Sequence, residues 1–402
     1  MADEGYTQVG GELGVALGYS GSRPTYAEIH MAAIAHNLRM LRNRVGKNTH
    51  VYAVIKADAY GHGLVPVAWC MERDGVDGLC VALAEEGFRL RAAGVRLPIL
   101  VLNGAYGHSH REVLHAGLTP VVHHFDQAQA FAEAARPGEV VELHLKVDTG
   151  MGRLGVLHNE LVDFLERLRG HTNLRVAGVL THFASADTDP EFTALQCQRF
   201  TEALTVIRAA GYRPKVLHAE NSAGVYAGVP ASYDIARVGI ALFGVPPMAG
   251  VGGDLRPAMR VVSQVLALRT LQAGEPVGYG GSYRCPDTRQ IATVPIGYGD
   301  GYLRAAGNQG SMLVHGQRCP IVGRISMDLT TVDVTEVPRV HVGDEVVVLG
   351  RQGEAELTAD DLAEAAGTLA YEVLCNLSNR VPRVHLWSPG DGRYYGRPAA
   401  RV

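Results

Sequence analysis

The sequence predicts an α/β protein in which a (β/α)8 TIM-like barrel is followed by a mostly-β C-terminal domain. The barrel is indicated by eight short apolar segments that recur at intervals of roughly 20–40 residues, with helical segments between them. Alternating strands and helices are typical of a parallel sheet covered by helices, and eight such units suffice to close a barrel. After about residue 248 the helical segments give way to short strands divided by Gly and Pro turns.

The barrel strands are predicted from runs of apolar residues that suit strands buried on both faces. They cover 51–55, 79–83, 99–102, 119–122, 141–147, 175–180, 215–218 and 234–239. A strand at 27–30 and a helix over 31–44 precede the first of them, and further helices are predicted over 85–93 and 192–210. An open, doubly wound sheet is the alternative, but no Gly-x-Gly-x-x-Gly follows the first strand.

The predicted second domain contains short strands and one helix over 359–366. The strands cover 261–268, 290–295, 311–315, 320–322, 330–334 and 345–349. The Gly-rich loop 248–253 is the expected linker. We therefore expect a flexible N-terminal extension (1–24), the barrel (25–249), the mostly-β domain (250–390) and a tail (391–402).

The composition indicates a folded protein without a case for nucleic-acid or membrane binding. Its 402 residues are enough for two domains, and 47% hydrophobic with 19% charged residues is typical of a packed globular chain. A net charge of -4 gives no electrostatic basis for binding nucleic acid or an anionic membrane. No apolar run approaches the ~20 residues that span a bilayer, and the N-terminus is acidic where a signal peptide would be basic.

The six cysteines are scattered and form no C-x-x-C pair. They are Cys70, Cys80, Cys197, Cys285, Cys319 and Cys375. Reduced thiols in a cytoplasmic protein explain this pattern best, and no metal site is expected.

Lys56 is the first candidate for chemistry. It is one of only four lysines in the chain, and it directly follows an apolar strand. In a barrel, functional groups lie at the C-terminal ends of the strands. A buried lysine there has a lowered pKa, so its free amine becomes available as a nucleophile. The alternative is a lysine whose ammonium group reaches from the strand end to solvent.

Polar residues also follow several other predicted barrel strands. The strand-end segments that carry them are 146–153, 181–184, 218–223 and 237–240. Together with Lys56 they would bring Lys, His, Arg and Ser to one rim. A phosphorylated cofactor with an aldehyde needs such a set: an amine for the aldehyde, a flat group against the ring and donors for the phosphate.

The segment Ala53-Val54-Ile55-Lys56-Ala57-Asp58-Ala59-Tyr60-Gly61-His62-Gly63 resembles the pyridoxal-phosphate lysine motif of the alanine racemase family. The resemblance extends over roughly residues 25–388 and includes the strand-end segments above. It implies a pyridoxal 5'-phosphate-dependent enzyme of fold type III. The implied reaction interconverts L- and D-alanine by a two-base mechanism.

The resemblance also implies roles for the cofactor-binding residues. Lys56 would bond to the cofactor aldehyde, His182 would lie against the ring, and Arg237 would donate to the pyridine nitrogen. An arginine there disfavours protonation of that nitrogen, which makes the ring a weaker electron sink and limits side reactions. The implied phosphate ligands are Ser222, the N–H groups of Gly239 and Ile240, and the hydroxyls of Tyr60 and Tyr371.

The remaining implied roles concern the substrate. Arg153 would bind its carboxylate beside Lys146, which can be carbamylated in this family. Tyr279, in a Gly-Tyr-Gly segment, would be the second base opposite Lys56. In the family this tyrosine comes from the partner subunit, which implies a homodimer with shared active sites. The residues implied to line the entrance and substrate pocket are Tyr298, Met327 and Asp328.

Four other functions stay open on the sequence alone. A racemase for serine or for a broader set of amino acids would have the same fold. A decarboxylase of basic amino acids would share it too, but needs no opposed base, so Tyr279 argues against it. A non-catalytic pyridoxal-phosphate carrier would lack the second domain, and a Schiff-base aldolase would need neither Arg237 nor Ser222.

Overall fold

The computed structural model describes residues 6–9, 12–16, 23–229 and 233–387. The chain divides into two compact units. The barrel unit contains residues 34–59 and 64–256, and the second unit contains the described residues up to 33, residues 60–63 and the described residues from 257.

The barrel unit is built on eight parallel strands, numbered here β1 to β8 in chain order. They are β1 His50–Val54, β2 Gly78–Val81, β3 Ile99–Val101, β4 Thr119–Val122, β5 Val141–Asp148, β6 Leu174–Leu180, β7 Val216–His218 and β8 Ile235–Val238. Each strand from β1 to β6 pairs in parallel with the next, and β8 pairs with β1. Backbone hydrogen bonds from Asp234 to Leu217 and from Arg237 to Glu220 connect β8 to β7 and complete the circle.

The strands are buried as their apolar sequences require. Every residue of β2 and β8 is buried, including Arg237 in β8. Strands that are covered on both faces consist mostly of apolar residues. Burial of the Arg237 charge inside such a strand therefore costs desolvation free energy. All eight segments predicted from the sequence form these strands, and the predicted fold class is confirmed.

Helices with one apolar face follow the barrel strands. In the helix Leu161–Leu168, for example, the residues at 161, 164, 165 and 168 are buried, which is the spacing of a single helical face. The helix Met31–Val45 precedes β1, and the helices after the strands are Leu64–Arg73, Ala84–Ala92, His110–His115, Phe125–Ala134, Leu161–Leu168, Pro190–Ala209 and Ser222–Ala227. A two-residue strand, Val156–Leu157, adds to β5, and single 3-10 turns cover His158–Glu160 and Ile240–Phe243.

The second unit is dominated by strands. Its largest sheet runs in the order Tyr6–Val9, Glu12–Ala16, Arg383–Leu386, Tyr26–His30, Met259–Gln264, Glu345–Gln352, Ser311–Val314 and Gln317–Pro320, with Ala355–Leu357 pairing Glu345–Gln352. A smaller sheet contains Ala267–Leu271, Arg289–Val294 and Thr330–Asp333, and a ribbon joins Pro276–Val277 to Tyr283–Arg284. Its helices are Ala359–Ala366 and Ala370–Asn376, with 3-10 turns at Tyr279–Gly281, Tyr298–Asp300 and Arg304–Ala306.

The strand Tyr26–His30 belongs to the second unit and not to the barrel, where the sequence-based domain boundaries placed it. The segment 25–249 was predicted as one domain, yet Tyr26–His30 pairs with Met259–Gln264 and Arg383–Leu386 in the second unit. The partners lie more than 200 residues away in sequence, so no local pattern could reveal the pairing. Within the predicted extension 1–24, where no regular element was expected, Tyr6–Val9 and Glu12–Ala16 form strands. The predicted tail 391–402 lies outside the described residues.

The helix predicted over 359–366 is present with those bounds, whereas Ala370–Asn376 was not predicted. In the described part of the chain, no helix combines the length and apolar character needed to cross a membrane.

Candidate active site

Lys56 follows β1 and begins a left-handed turn. The φ angles of Ala57, Asp58 and Ala59 are 52°, 54° and 55°, with ψ between 43° and 54°. An L-residue pays about 1–2 kcal/mol for this conformation, so three in a row store roughly 3–6 kcal/mol. Such strain persists only where the surroundings fix it, and it is concentrated at functional sites.

Hydrogen bonds within the barrel unit fix this turn. The Ala57 N–H donates to Oε1 of Glu86 at 2.6 Å. The Ala59 N–H donates to the Ile55 carbonyl at 2.9 Å, and the Leu64 N–H donates to Oδ1 of Asp58 at 3.0 Å. The direction of the chain directly after Lys56 is therefore set by specific acceptors.

Arg237 is 3% exposed and lies in a cluster of acceptors at the ends of β6 to β8. Its Nη2 donates to the carbonyls of Thr181 at 2.7 Å and Ala219 at 3.0 Å, and contacts Nδ1 of His182 at 3.2 Å. Burial lowers the pKa of Arg237 to about 10. The guanidinium therefore remains charged at neutral pH, held in one orientation.

A chain of two neutral histidines extends from this arginine into the barrel. Nη1 of Arg237 contacts Nδ1 of His218 at 3.0 Å, and Nε2 of His218 contacts Nδ1 of His144 at 2.8 Å. Arginine can only donate, so Nδ1 of His218 accepts and its Nε2–H donates to His144. Burial, with the Arg237 charge, lowers the pKa of His144 to about 4 and that of His218 well below its usual value. The positive charge consequently stays on Arg237.

Lys146 and Arg153 are positioned by β5 and the turn after it. Lys146 is 8% exposed, and burial, followed by the charges of Arg237 and Arg153, lowers its pKa to about 8. The Asp148 carboxylate accepts the N–H groups of Gly150 at 2.8 Å, Gly152 at 3.2 Å and Arg153 at 3.1 Å. Asp148 thus shapes the loop that presents Arg153, whose side chain is exposed.

Ser222, Gly239 and Ile240 are buried together at the ends of β7 and β8. The Gly239 N–H donates to Oγ of Ser222 at 2.9 Å. Ile240 begins the turn after β8, and Asn221 caps the helix after β7 by accepting the Gly224 N–H at 2.9 Å. The hydroxyl and the two backbone amides predicted to hold a phosphate therefore belong to one local structure.

The second unit contains the predicted tyrosines and entrance residues. Tyr60 and Tyr371 lie with ring centroids 6.0 Å apart and planes tilted by 49°. Tyr279 is 73% exposed on a single turn of 3-10 helix, Tyr279–Gly281. Tyr298 and Met327 of this unit are exposed as well.

A buried carboxylate holds the segment that carries Tyr298. Asp300 is fully buried, accepts two bonds of 2.6 Å from Arg23 and accepts the Gly297 N–H at 3.0 Å. Arg380 contacts Asp300 at 3.2 Å and donates to Asp328 at 2.6 Å. The loop 297–301 and Asp328 are thereby fixed by one ion-pair network.

The charges at the barrel rim fit a phosphorylated cofactor. Four basic groups lie at the strand ends: Arg237, Lys146, Arg153 and Lys56. Burial, and after it each of these charges, lowers the pKa of His182 well below its usual value. Asp148, the acidic group acting on Lys146, is already used by three backbone N–H groups. An excess of positive charge in a partly buried site favours an anionic ligand.

Two positioning residues were missed by the sequence analysis, Gln196 and Glu86. Gln196 is fully buried; its Nε2 donates to Thr149 at 3.1 Å and to the His182 carbonyl at 3.0 Å, and its Oε1 accepts the Ala184 N–H at 2.9 Å. Its position on the buried stripe 193, 196, 200, 203, 207 of the helix Pro190–Ala209 was a usable signal, because an amide there must find partners. For Glu86 the sequence offered no comparable signal.

Comparison with known proteins identifies related chains over nearly the whole length. Residues 29–247 match the family model for the alanine racemase N-terminal domain, and residues 258–385 match that for the alanine racemase C-terminal domain. The alanine racemase of Sorangium cellulosum is 45% identical over 375 residues, which cover 90% of this chain and 99% of that protein. The alanine racemase of Syntrophobacter fumaroxidans is 41% identical over 367 residues, covering 90% of this chain and 97% of that protein.

Solved structures agree with these matches. The alanine racemase from D-cycloserine-producing Streptomyces lavendulae superimposes with a TM-score of 0.87 at 34% identity, covering 91% of this chain and 98% of that one. The alanine racemase from Streptomyces coelicolor superimposes with a TM-score of 0.84 at 36% identity, covering 90% of this chain and 98% of that one. The family and the cofactor predicted from the lysine segment are confirmed. This chain belongs to the alanine racemase family of pyridoxal 5'-phosphate-dependent isomerases.

Proposed function

We propose that this protein interconverts L- and D-alanine through two opposed proton-transfer groups, Lys56 and Tyr279. The observation that carries the proposal is the rim of the barrel, where the strained Lys56 turn shares the strand ends with buried Arg237 and with Arg153. Relatives named alanine racemase at up to 45% identity support alanine as the substrate.

When bound, pyridoxal phosphate supplies an aldehyde that bonds to amines and a conjugated ring that withdraws electrons from the substrate α-carbon. Lys56 would hold the aldehyde carbon, and His182 would lie against the ring. The phosphate would be held by Ser222, the amides of Gly239 and Ile240, and the hydroxyls of Tyr60 and Tyr371. The bond already present between Gly239 and Ser222 supports this role, because it places an amide and a hydroxyl beside each other.

Arg237 would face the pyridine nitrogen. Its guanidinium carries only donors, so it hydrogen-bonds to an unprotonated nitrogen and does not deliver a proton to it. The bonds to Thr181, Ala219 and His218 support this role because they fix the guanidinium plane. A ring left unprotonated withdraws electrons less strongly, which favours return of the proton over competing reactions.

Lys56 and Tyr279 would act on opposite faces of the α-carbon. The Lys56 amine would remove or return the proton on one face, and the Tyr279 hydroxyl on the other. We propose that Tyr279 acts in the active site of the partner subunit of a homodimer. Its 73% exposure, with exposed Tyr298 and Met327 in the same unit, supports an assembly that covers these side chains.

Arg153 would bind the substrate carboxylate through its planar guanidinium. Lys146, with its pKa lowered to about 8, has a sizeable neutral fraction near pH 7–8 and would accept CO2 to form a carbamate. The carbamate is an anion and would hold Arg153 in place. Tyr298, Met327 and Asp328 would line the entrance. We place the enzyme in the cytoplasm, supplying D-alanine for the cell wall.

The experiment is chiral analysis of a panel of L-amino acids incubated with purified protein and cofactor. Exchange of alanine supports the proposal, whereas exchange of serine alone, or of many substrates at equal rates, would overturn the assignment of alanine. Lys56→Ala should abolish both cofactor absorbance and exchange, and Tyr279→Phe should keep the absorbance but lose exchange. Tyr106→Phe, an exposed tyrosine of the barrel unit, is the matched control. Wild-type exchange of both enantiomers by Tyr279→Phe would contradict the two-base assignment.

A further inference from the structure

The left-handed turn after Lys56 depends on an acid from the neighbouring βα unit. Glu86 lies on the first turn of the helix Ala84–Ala92, which follows β2, and β2 is the strand beside β1. Its Oε1 accepts the Ala57 N–H at 2.6 Å. Its Oε2 accepts the N–H groups of Ala82 at 2.8 Å and Leu83 at 3.1 Å.

Both carboxylate oxygens are therefore used, and they bind to different segments. Oε2 caps the Glu86 helix, a local task that any helix N-terminus requires. Oε1 binds the first residue after the reactive lysine, which a helix cap does not require. A glutamine could satisfy one of these segments, since its amide has a single acceptor oxygen and its NH2 group would face an N–H donor on the other.

The bond to Ala57 falls where the backbone is strained. Ala57 has a φ of 52° and a ψ of 54°, and Asp58 and Ala59 continue the left-handed conformation. An alanine released from its acceptor would return to the ordinary regions of φ and ψ. Because Ala57 is bonded directly to Lys56, that relaxation would rotate the peptide that aims the lysine side chain.

We propose that Glu86 is a positioning residue that holds the Lys56 turn in its left-handed conformation and so aims the lysine amine at the cofactor aldehyde. The inference rests on the proposed role of Lys56. It assigns Glu86 no contact with substrate or cofactor.

The test compares Glu86→Gln with the matched control Glu85→Gln, an exposed acid one residue earlier on the same helix. The rate of covalent capture of added pyridoxal phosphate by the cofactor-free protein is measured by borohydride trapping and mass spectrometry. Amide hydrogen exchange across residues 55–60 is measured on the same samples. A hydrogen bond to a charged acceptor is worth roughly tenfold or more in an equilibrium, so capture by Glu86→Gln should slow by about that factor. Exchange at Ala57 should rise, and Glu85→Gln should match the wild type in both measurements.

A second variant separates aiming of the lysine from simple loss of a helix cap. Ala57→Gly is added to Glu86→Gln, because glycine adopts a φ near 52° without steric cost. Recovery of most of the capture rate supports the proposal, since the substitution does nothing for the helix cap. Capture by Glu86→Gln at the wild-type rate, or a loss that Ala57→Gly does not restore, would overturn it. A wild-type protein that captures no cofactor at Lys56 would instead overturn the proposed function.

Discussion

Replacement of Gln196 by leucine should loosen two loops at the barrel rim. The side chain is fully buried and makes three hydrogen bonds, to Thr149, to the His182 carbonyl and from the Ala184 N–H. Leucine has nearly the same volume and none of these partners. A buried or partly buried polar group left unpaired costs about 1–3 kcal/mol, so the total should reach roughly 2–4 kcal/mol.

The matched control is Gln198→Leu on the same helix. Gln198 is exposed, and its side chain donates to Glu202 one turn away, an interaction worth about 0.2–0.5 kcal/mol. Thermal unfolding of the cofactor-free proteins, followed by circular dichroism, should show a loss of roughly 2–5 °C for Gln196→Leu and little change for the control.

The functional effect should follow His182 and the loop after β5. Amide exchange over residues 149–153 and 181–186 should increase in Gln196→Leu, and kcat/KM for alanine should fall by at least tenfold because both loops carry candidate site residues. If the two leucine variants proved equally stable, or if exchange rose evenly over the whole barrel, the reasoning from these three hydrogen bonds would be refuted.

Three further predictions concern charge and pH. The pKa of His144 is lowered from 6.5 to about 4, so between these pH values the folded state binds fewer protons than the unfolded chain. The contribution of His144 to the free energy of unfolding should therefore be complete above pH 6.5 and fall by roughly 3 kcal/mol by about pH 4. Urea unfolding at several pH values measures this. Because the pKa of Lys146 is about 8, CO2-depleted enzyme should regain activity on addition of bicarbonate more strongly at about pH 8 than at pH 6.5, and a missing response would contradict its carbamylation. Asp148→Asn leaves a single acceptor oxygen for the N–H groups that both carboxylate oxygens of Asp148 bind, so the loop that presents Arg153 should loosen. The KM for alanine should then rise about tenfold with a smaller change in kcat, as measured by steady-state kinetics. An unchanged KM would exclude Asp148 as the organiser of that loop.

The barrel was predictable because its signals are local. The strands are three to eight residues long and mostly apolar, and the chemistry-bearing residues lie at or directly after their ends. The helix Ala359–Ala366 was located from its sequence alone, and its Thr358 cap, which accepts the Asp361 N–H, shows the local signal that begins it. Elements governed by nearby sequence were therefore found with nearly correct bounds.

The features that were missed depend on partners far away in sequence. The pairing of Tyr26–His30 involves strands more than 200 residues later, and the His144–His218 contact spans 74 residues. The left-handed turn contains two alanines, which give no local reason to leave the right-handed region, so its φ angles depend on the acceptors around it. Gln196 was the exception, because its place on a buried helical face could have been noticed.

The position of the strand Tyr26–His30 has a practical consequence for dissecting the protein into fragments. A polypeptide starting at residue 250 would lack this strand, which separates Met259–Gln264 from Arg383–Leu386 in the largest sheet. Each of those strands would then expose an unsatisfied backbone edge, and such edges promote aggregation. A soluble C-terminal fragment, or a chimera that exchanges this region between relatives, would have to include residues 23–33 at its other end.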